Sequence, residues 1–331
     1  MNGLAPGLAL VLIVAAVARG LSRFSGPLPD VVIALLLGTM IRNALRPAAI
    51  AHGVKFTLFY VLRTAIILLG AGLSIQAVIR TGGATLALVV SLVVIAMLLG
   101  LGLARLTRLR GTIGTLIGAG TAICGGSAIL TVGPIVGAPE EEIAYAITTI
   151  FTFNIVALLV YPPIGHALGL TQTAFGSWTG TAVNDTSVVV ATGYVYGAAA
   201  GAVATVVKLT RTVLLVPLAV AVGLAHAFRT GHAGADETAG VWRRAAQAIP
   251  WFVLGFVAMA AANSVGFFPP PFPRVMAGTA SFLIVMVLSA VGLNVDLAKI
   301  LALGPRPMLV GFLLAAIMAA ISFTLVRQLG I

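Results

Sequence analysis

The sequence predicts an all-α, polytopic membrane protein, and its composition and hydropathy pattern support this fold class. Of its 331 residues, 60% are hydrophobic and only 8% are charged. Soluble domains carry about 25% charged residues, which cover their surface. The apolar residues also form charge-poor runs close to the roughly 20 residues that a helix needs to cross a bilayer. These features exclude a soluble enzyme and predict a chain surrounded by lipid.

Eleven charge-poor runs are candidate membrane-spanning helices. The loops between them are short, so we expect about eleven crossings and a single integral membrane unit over residues 1–331. The first run lacks a preceding basic residue, which argues against a signal peptide. The runs lie near residues 4–19, 30–46, 56–79, 83–104, 112–136, 142–162, 174–196, 199–226, 246–266, 275–297 and 307–328.

The net charge of +11 is spread over short basic groups between the apolar runs. This pattern is typical of cytoplasmic loops and excludes a nucleic-acid-binding patch. With eleven crossings, one side receives about eleven Lys and Arg residues and the other about five, which predicts a cytoplasmic N-terminus in the cell (inner) membrane. If segment 174–196 alone did not cross, the split would be about eight to eight, so we favour a crossing there.

Two glycine-rich stretches interrupt the predicted helices and resemble each other. The run GTAICGGSAI begins at Gly120, and GTAVNDTSVV begins at Gly180, sixty residues later. Unwound backbone at membrane depth is tolerated only beside protein or a wet cavity. Paired interruptions therefore point to the binding site of a secondary transporter. The alternative is that the glycines only allow helices to pack closely.

Three charged residues lie inside apolar runs close to these stretches. Of the eight acidic residues, only Asp185 lies well inside such a run, where a carboxylate costs about 2.5–3.5 kcal/mol on insertion scales. Lys208 and Arg211 are spaced i, i+3 and share a helix face. We expect one cation to offset Asp185 and the other, with exposed helix N-termini, to attract an anion. The alternative is that both cations only neutralise the carboxylate.

Two groups of site residues follow from these patterns. No catalytic residue, metal site or resident cofactor is predicted, because the sequence has no HExxH motif, Walker lysine or Cys/His cluster. The ion-coupling group, whose oxygen atoms suit a sodium ion or whose carboxylate could cycle a proton, is Asn184, Asp185, Thr186 and Ser187. The substrate-binding group is Thr121, Cys124, Gly125, Gly126, Ser127, Lys208 and Arg211.

A second internal similarity relates GLSIQAVI, which starts at Gly72, to GLNVDLAK, which starts at Gly292. With eleven crossings, these two stretches run in opposite directions, as an inverted repeat requires. The two GTA stretches instead come out parallel. The sequence leaves this conflict open.

Several motifs together resemble the YeiH-type conserved membrane proteins, a family named for sulfate export. The likeness extends from about Arg63 through Gly311 and implies distant kinship with sodium/proton antiporters and bile-acid-type sodium symporters. It implies a core with crossing, unwound helices near residues 83–226, beside a scaffold near 1–82 and 246–331. The motifs are TAICGGSAI, PEEEIAYAITTIF, YPPIG, FGSWTGTAV and VVKLTR.

The resemblance also bears on the site. It implies that the stretch from Cys124 to Ser127, with Lys208 and Arg211, lines the site. Many members have Ile-His-Asp where this chain has Val183-Asn184-Asp185. The missing histidine removes a titrating group from the predicted ion-coupling position.

Three functions stay open at this point. The first is secondary transport of a small inorganic anion, as in a sulfate- or sulfite-type exporter. A divalent anion that leaves a negative interior gains about 4.6 kcal/mol per 100 mV, so its export needs no coupling ion. The second is sodium- or proton-coupled symport of an organic anion. The third, from another class, is a membrane-embedded enzyme or structural subunit. A homodimer is compatible with all three.

Overall fold

The computed structural model describes residues 4–24, 29–109, 112–230, 250–298 and 305–331, and the regular structure in these ranges is helical. The first seven helices are α1 (Leu4–Ser22), α2 (Asp30–Leu45), α3 (Ala51–Gly70), α4 (Ile75–Leu106), α5 (Ile113–Ala122), α6 (Gly126–Ile135) and α7 (Glu140–Ala167). The remaining helices are α8 (Gln172–Ala182), α9 (Thr186–Tyr196), α10 (Ala198–Val213), α11 (Leu215–Thr230), α12 (Trp251–Ser264), α13 (Phe272–Asn294) and α14 (Pro305–Leu329).

The described ranges contain seven helices that are long and apolar enough to cross a bilayer. Each has 19 to 32 residues, and about 20 residues are required. The prediction of an all-α, polytopic membrane protein is therefore confirmed. The seven are α1, α3, α4, α7, the stretch Ala198–His226 formed by α10 and most of α11, α13 and α14.

The boundary between the third and fourth helices lies earlier than predicted. The apolar run 56–79 is interrupted after Gly70, and α4 begins at Ile75 rather than near residue 83. Ser74 explains the new boundary, because its side chain accepts a hydrogen bond from the Ala77 backbone N–H and so caps the start of α4. Hydropathy alone does not detect this cap.

Helices α5 and α6 form a hairpin, which we call hairpin 1. A Cβ added at Gly120 would lie 2.9 Å from Cδ1 of Ile129, and one at Gly133 would lie 3.8 Å from Cδ2 of Leu116. Residues late in α5 therefore contact residues early in α6, and residues early in α5 contact residues late in α6, so the two helices are antiparallel. The chain thus returns toward the level at which α5 started.

Helices α8 and α9 form hairpin 2 in the same way. The Tyr196 hydroxyl, at the end of α9, donates a hydrogen bond of 2.5 Å to the Leu170 carbonyl, just before α8. The ring of Tyr196 also stacks on Phe175, with 3.8 Å between centroids. Gln172 Oε1 accepts hydrogen bonds from the backbone N–H groups of Ala199 and Ala200, at the start of α10. Both ends of hairpin 2 therefore lie at one level.

The two hairpins start at opposite ends of α7. At its N-terminal end, Glu142 Oε2 accepts hydrogen bonds of 2.6 Å from both the backbone N–H and the hydroxyl of Thr112, which precedes hairpin 1. At its C-terminal end, the Gly165 carbonyl accepts a hydrogen bond from Tyr196 of hairpin 2. With 28 residues, α7 is about 42 Å long, enough to cross a bilayer. The hairpins therefore enter from opposite sides.

This arrangement corrects the prediction for segments 112–136 and 174–196, each of which was expected to cross once. It also settles the orientation of the two GTA stretches, because hairpins that enter from opposite sides are inverted rather than parallel. The positive-inside pattern does not conflict with this. Removing one crossing erases the charge bias. Removing both moves only the loops at the two ends of α7, which contain no Lys or Arg, and so keeps the split at about eleven to five.

A second inverted pair lies among α2, α3, α12 and α13. Asn43, near the end of α2, donates to the Val295 carbonyl and accepts from Leu297 N–H, both at 2.9 Å, just after α13. Asn263, near the end of α12, donates to the Leu73 carbonyl after α3 at 3.1 Å. Asn263 follows Asn43, and Gly292 follows Gly72, by the same 220 positions. The similarity predicted at Gly72 and Gly292 thus extends to these asparagines.

The last helix packs on hairpin 2. Trp178 Nε1 of α8 donates to the Ala319 carbonyl at 3.0 Å, and the hydroxyls of Thr181 and Ser322 lie 2.5 Å apart. The family resemblance implies that residues 246–331 belong to the scaffold, whereas these contacts join α14 to the predicted core. The division into core and scaffold stays a prediction.

Candidate functional site

The tips of the two hairpins meet. Hairpin 1 breaks between Ala122 and Gly126, and hairpin 2 breaks between Ala182 and Thr186, so the prediction of unwound helices is confirmed at both stretches. Gly125 has a φ of +63°, a backbone conformation that favours glycine. A Cβ added there would lie 3.7 Å from the Asp185 backbone nitrogen. The two breaks are therefore in contact.

Asn154, in the middle of α7, binds the second break. Its Oδ1 accepts hydrogen bonds from the backbone N–H groups of Asn184, at 3.1 Å, and Asp185, at 3.3 Å. These N–H groups have no intrahelical partner, and Asn154 is the side chain that satisfies them. Sequence reasoning missed this residue. The available signal was that Asn154 is the only amide side chain in the apolar stretch 143–165.

Packing of α10 along α8 carries two cations to the breaks. A Cβ added at Gly176 would lie 2.8 Å from Cβ of Val203, and one at Gly180 would lie 2.8 Å from Cβ of Val207. The two helices therefore run side by side in the same direction. Within about one further turn of α10, Lys208 and Arg211 lie beside the C-terminal end of α8.

Lys208 bonds to equivalent carbonyls of the two hairpins. Its Nζ donates to the carbonyl oxygens of Ile123, at 2.6 Å, and Val183, at 3.1 Å, which occupy matching positions in the sixty-residue repeat. The side chain is fully buried, at 0% exposure. These carbonyls lie at the C-terminal ends of α5 and α8, where the helix dipole places partial negative charge. The ammonium group therefore stabilises both breaks at once.

Arg211 has a similar position one turn further along α10. Its Nε donates to the Ala122 carbonyl at 2.5 Å, and its Nη1 donates to the Thr181 carbonyl at 2.7 Å. The side chain is 1% exposed. The prediction that Lys208 and Arg211 share one face and reach the breaks agrees with this geometry. Their contacts, however, are mainly with backbone carbonyls.

Asp185 caps a helix instead of forming the expected ion pair. Its Oδ1 accepts hydrogen bonds from the backbone N–H groups of Ser187, at 2.8 Å, and Val188, at 3.4 Å, and from the Ser187 hydroxyl. Within the described residues, the salt bridge that forms joins Arg42 to Asp296, away from this cluster. The carboxylate thus offsets the positive N-terminal end of α9. Lys208 is near enough for a Coulombic interaction with Asp185.

The other predicted residues lie around the point at which the tips of the two hairpins meet, which we call the junction. Thr121 is buried at the end of α5, and Thr186 and Ser187 are buried at the start of α9. The Cys124 side chain is buried beside the Ser127 side chain and the Ala128 backbone N–H. Gly126 is half-buried and Ser127 is exposed. The start of α6 is therefore less buried than the rest of the junction.

Four polar atoms of buried side chains lack a hydrogen-bond partner in the part of the chain that the structure describes, and all four belong to this junction or to the helices that form it. They are two donors and two atoms that accept: Asn154 Nδ2, Arg211 Nη2, Asn184 Oδ1 and Thr179 Oγ1. A buried polar group without a partner costs about 1–3 kcal/mol. Such groups call for a ligand, an ion or water.

The two N-terminal helix ends at the junction differ in charge. Helix α9 is capped by the Asp185 carboxylate, whereas the N-cap residue of α6 is Gly125, which provides no side-chain cap. The N-terminus of a helix carries partial positive charge and free N–H donors, which suit an anion. The end of α6 is therefore the one at which a bound anion meets no competing carboxylate.

Comparisons with known proteins agree with the resemblance seen in the motifs. The family described as Conserved hypothetical protein 698 matches residues 6–311. A UPF0324 membrane protein of Streptococcus agalactiae is 33% identical over 312 residues, covering 92% of each chain. A UPF0324 membrane protein of Streptococcus pyogenes is 34% identical over 331 residues, covering 98% of this chain and 97% of the relative.

A more distant relative from Fusobacterium nucleatum, also a UPF0324 membrane protein, is 31% identical and covers the whole of both chains. No solved structure matches this chain. The family match and these relatives each span nearly the full length of the chain, including both hairpins. The chain therefore belongs to the UPF0324 family of membrane proteins.

Proposed function

We propose that this protein is a secondary transporter of a small anion, with its substrate site at the junction of the two hairpin tips. The observation that carries the proposal is the pair of unpartnered, buried donors at that junction, Arg211 Nη2 and Asn154 Nδ2. Donors without partners in a buried site favour a ligand with acceptor oxygens. The uncapped N-terminus of α6 adds further donors beside them.

The arrangement of the hairpins supports transport rather than catalysis. Tips that enter from opposite ends of α7 and meet near its middle put the junction at mid-depth, where binding sites of secondary transporters lie. Each hairpin separates that point from one side. A small rearrangement of either hairpin would then expose the site to one side at a time.

Sulfate and sulfite are the substrates that the sequence resemblance suggests, and export is the direction that the membrane potential favours for an anion. We take the protein to lie in the inner membrane with its N-terminus in the cytoplasm, which is the orientation that the loop charges favour. With this orientation, hairpin 1 opens to the cytoplasm and hairpin 2 to the outside. Hairpin 1 would then be the first to meet an exported anion.

The test is flux of radiolabelled sulfite from proteoliposomes under an imposed potential. We expect flux in the wild type and a loss of about tenfold or more in Asn154→Leu, which removes one donor and leaves two backbone N–H groups unpaired. Thr148→Val, at a half-buried position of the same helix where the hydroxyl donates only to the Ala144 carbonyl, is the control and should keep wild-type flux. Equal flux in Asn154→Leu and wild type would remove the junction from the transport path.

A second function, cation-coupled symport of an organic anion, is favoured by a different observation. Asn184 Oδ1 is a buried acceptor without a partner, next to the Asp185 carboxylate. Sodium is a hard cation and prefers such oxygen ligands. Uptake that requires sodium and is lost in Asn184→Leu would favour this function. Uptake that is unchanged both in sodium-free buffer and without a proton gradient would exclude it.

A further inference from the structure

We infer that the anion bound at the hairpin junction is monovalent. The inference rests on the proposed function, because it specifies the ligand of the same site. It follows from the number of charges that the structure brings to the junction and from their burial. A sulfonate, hydrogen sulfite or a monocarboxylate belongs to the chemical class that fits, whereas sulfate does not.

The helix ends at the junction contribute no net charge. Four helices meet there: α5 and α8 with their C-terminal ends, and α6 and α9 with their N-terminal ends. Each C-terminal end carries about −0.5 elementary charge and each N-terminal end about +0.5. Two ends of each sign cancel.

Three side chains then set the charge of the junction. Lys208 and Arg211 each supply one positive charge, which the carbonyl oxygens at the C-terminal helix ends stabilise, and Asp185 supplies one negative charge. The neighbouring helices add none nearby, because residues 143–165 of α7, 81–104 of α4 and 275–295 of α13 contain no Asp, Glu, Lys or Arg. The junction therefore carries a net charge of +1 before an anion binds.

The burial of these groups makes the net charge of the junction decide which anion can bind. Lys208 and Arg211 are at most 1% exposed, and Asn154, which lies against the second break, is 2% exposed. An uncompensated charge in such surroundings is costly because water cannot solvate it. One monovalent anion brings the junction to neutrality. A divalent anion would leave one negative charge uncompensated and would need a bound cation.

The donors that lack partners suit a head group with oxygen acceptors, whatever its charge. Arg211 Nη2 and Asn154 Nδ2 are two unpaired N–H donors, enough for the oxygen atoms of one sulfonate or carboxylate head group. Asp185 stays occupied by the start of α9, so its negative charge is fixed at the site. The carboxylate therefore acts as a selectivity-determining group, since its charge disfavours a second negative charge on the ligand.

The experiment compares two probes that share a head group and differ by one charge. Methanesulfonate is monovalent and sulfate is divalent, and both present tetrahedral sulfur with oxygen acceptors. Binding is measured by thermal shift and calorimetry on the purified full chain in sodium-free buffer. We expect the wild type to bind methanesulfonate at least about tenfold more tightly than sulfate.

Asp185→Asn is the diagnostic variant. It raises the net charge to +2, while asparagine still caps a helix well. We expect the affinity ratio of methanesulfonate to sulfate to fall by about tenfold or to reverse. Glu141→Gln is the matched control, because it removes one negative charge at an exposed position of α7, about 20 Å along the helix from Asn154. Its affinity ratio should equal that of the wild type.

A second variant covers the case in which Asp185→Asn does not fold. Asn184→Asp lowers the net charge to zero and should weaken methanesulfonate binding by about tenfold. Sulfate binding at least as tight as methanesulfonate in the wild type would overturn the inference while the proposed transport of anions stands. Absence of binding and of flux for both probes, together with sulfite, would overturn the proposed function itself.

Discussion

The two hairpins have nearly the same length and break at matching positions, yet their surroundings differ. The end of each hairpin opposite its tip is called its mouth. The mouth of hairpin 2 is held by stacked rings: Tyr196 stacks on His166 and on Phe175, and Trp178 stacks on Tyr161, with centroid distances of 3.8–4.4 Å. Hairpin 1 has no such ring stack among the described contacts. Its mouth is held by Glu142, which accepts both bonds from Thr112.

The difference extends to the tips. Hairpin 2 is bonded to α14 through Trp178 and Thr181, and residues 186–193 are buried. In hairpin 1, Ser127 and Leu130 are exposed. The two inverted copies therefore share a backbone break but not the packing that fixes it. We therefore expect hairpin 1 to move more readily than hairpin 2.

The largest effect should come from Lys208→Met, which acts on both hairpins together. The substitution leaves the buried Ile123 carbonyl without its donor and the Val183 carbonyl with only a long bond of 3.4 Å from Arg211 Nη1, and an unpaired buried polar group costs about 1–3 kcal/mol. We expect the free energy of unfolding to fall by about 3 kcal/mol or more, read as a lower Tm in detergent. Lys55→Met, at an exposed position of α3, is the control and should stay within about 0.5 kcal/mol of wild type. Equal stability of the two variants would show that the Lys208 contacts do not hold the breaks.

A smaller loss of stability should come from a substitution at the break of hairpin 1, where the two hairpins differ in backbone conformation. Hairpin 1 turns at Gly125 with a positive φ, whereas Asp185 in hairpin 2 has a φ of −81°, which any residue adopts. Gly125→Ala should therefore cost about 1–3 kcal/mol of stability through backbone strain. The neighbouring Gly126→Ala is the control, because its Cβ would meet Phe151 at an ordinary 3.5 Å. If both substitutions lower Tm equally, the turn does not depend on the conformation of Gly125.

A third prediction concerns the mouth of hairpin 2. Tyr196→Phe keeps the ring stack on Phe175 and removes the hydrogen bond to the Leu170 carbonyl, so stability should fall by about 1 kcal/mol. Tyr60→Phe is the control, because Tyr60 is 56% exposed and should change little. A Tm of Tyr196→Phe equal to that of the control would mean that the stack alone closes hairpin 2.

Much of this arrangement could be predicted from the sequence, and the reasons are physical. Low charge and long apolar runs fix the membrane class, and the GTA repeat locates both breaks, because consecutive polar and glycine residues cannot continue a lipid-exposed helix. The spacing of Lys208 and Arg211 gives their common face. The parts that depend on these local rules agree with the structure.

The hairpins themselves could not be predicted, because a broken apolar segment of about 22 residues has the same length whether it crosses or returns. The charge split is also the same for either arrangement when both segments return. The return of hairpin 2 depends on the contact between Tyr196 and Leu170, which are 26 residues apart. Long-range contacts also determine the roles of Asn154 and Asp185. Sequence spacing carries no signal for them beyond the presence of a polar residue in an apolar stretch.

The smallest expected effect, and the most direct test of the comparison, comes from two serines at matching positions of the repeat. Ser187 of hairpin 2 is buried and donates its hydroxyl to the Asp185 carboxylate, whereas Ser127 of hairpin 1 is exposed. Ser187→Ala should cost about 1 kcal/mol, because it removes a hydrogen bond to a charged acceptor. Ser127→Ala should change stability by less than about 0.5 kcal/mol. Each variant serves as the control for the other, and unfolding in detergent is the measurement. If Ser127→Ala is the more destabilising, hairpin 1 is the better-packed copy and the expected order of mobility is reversed.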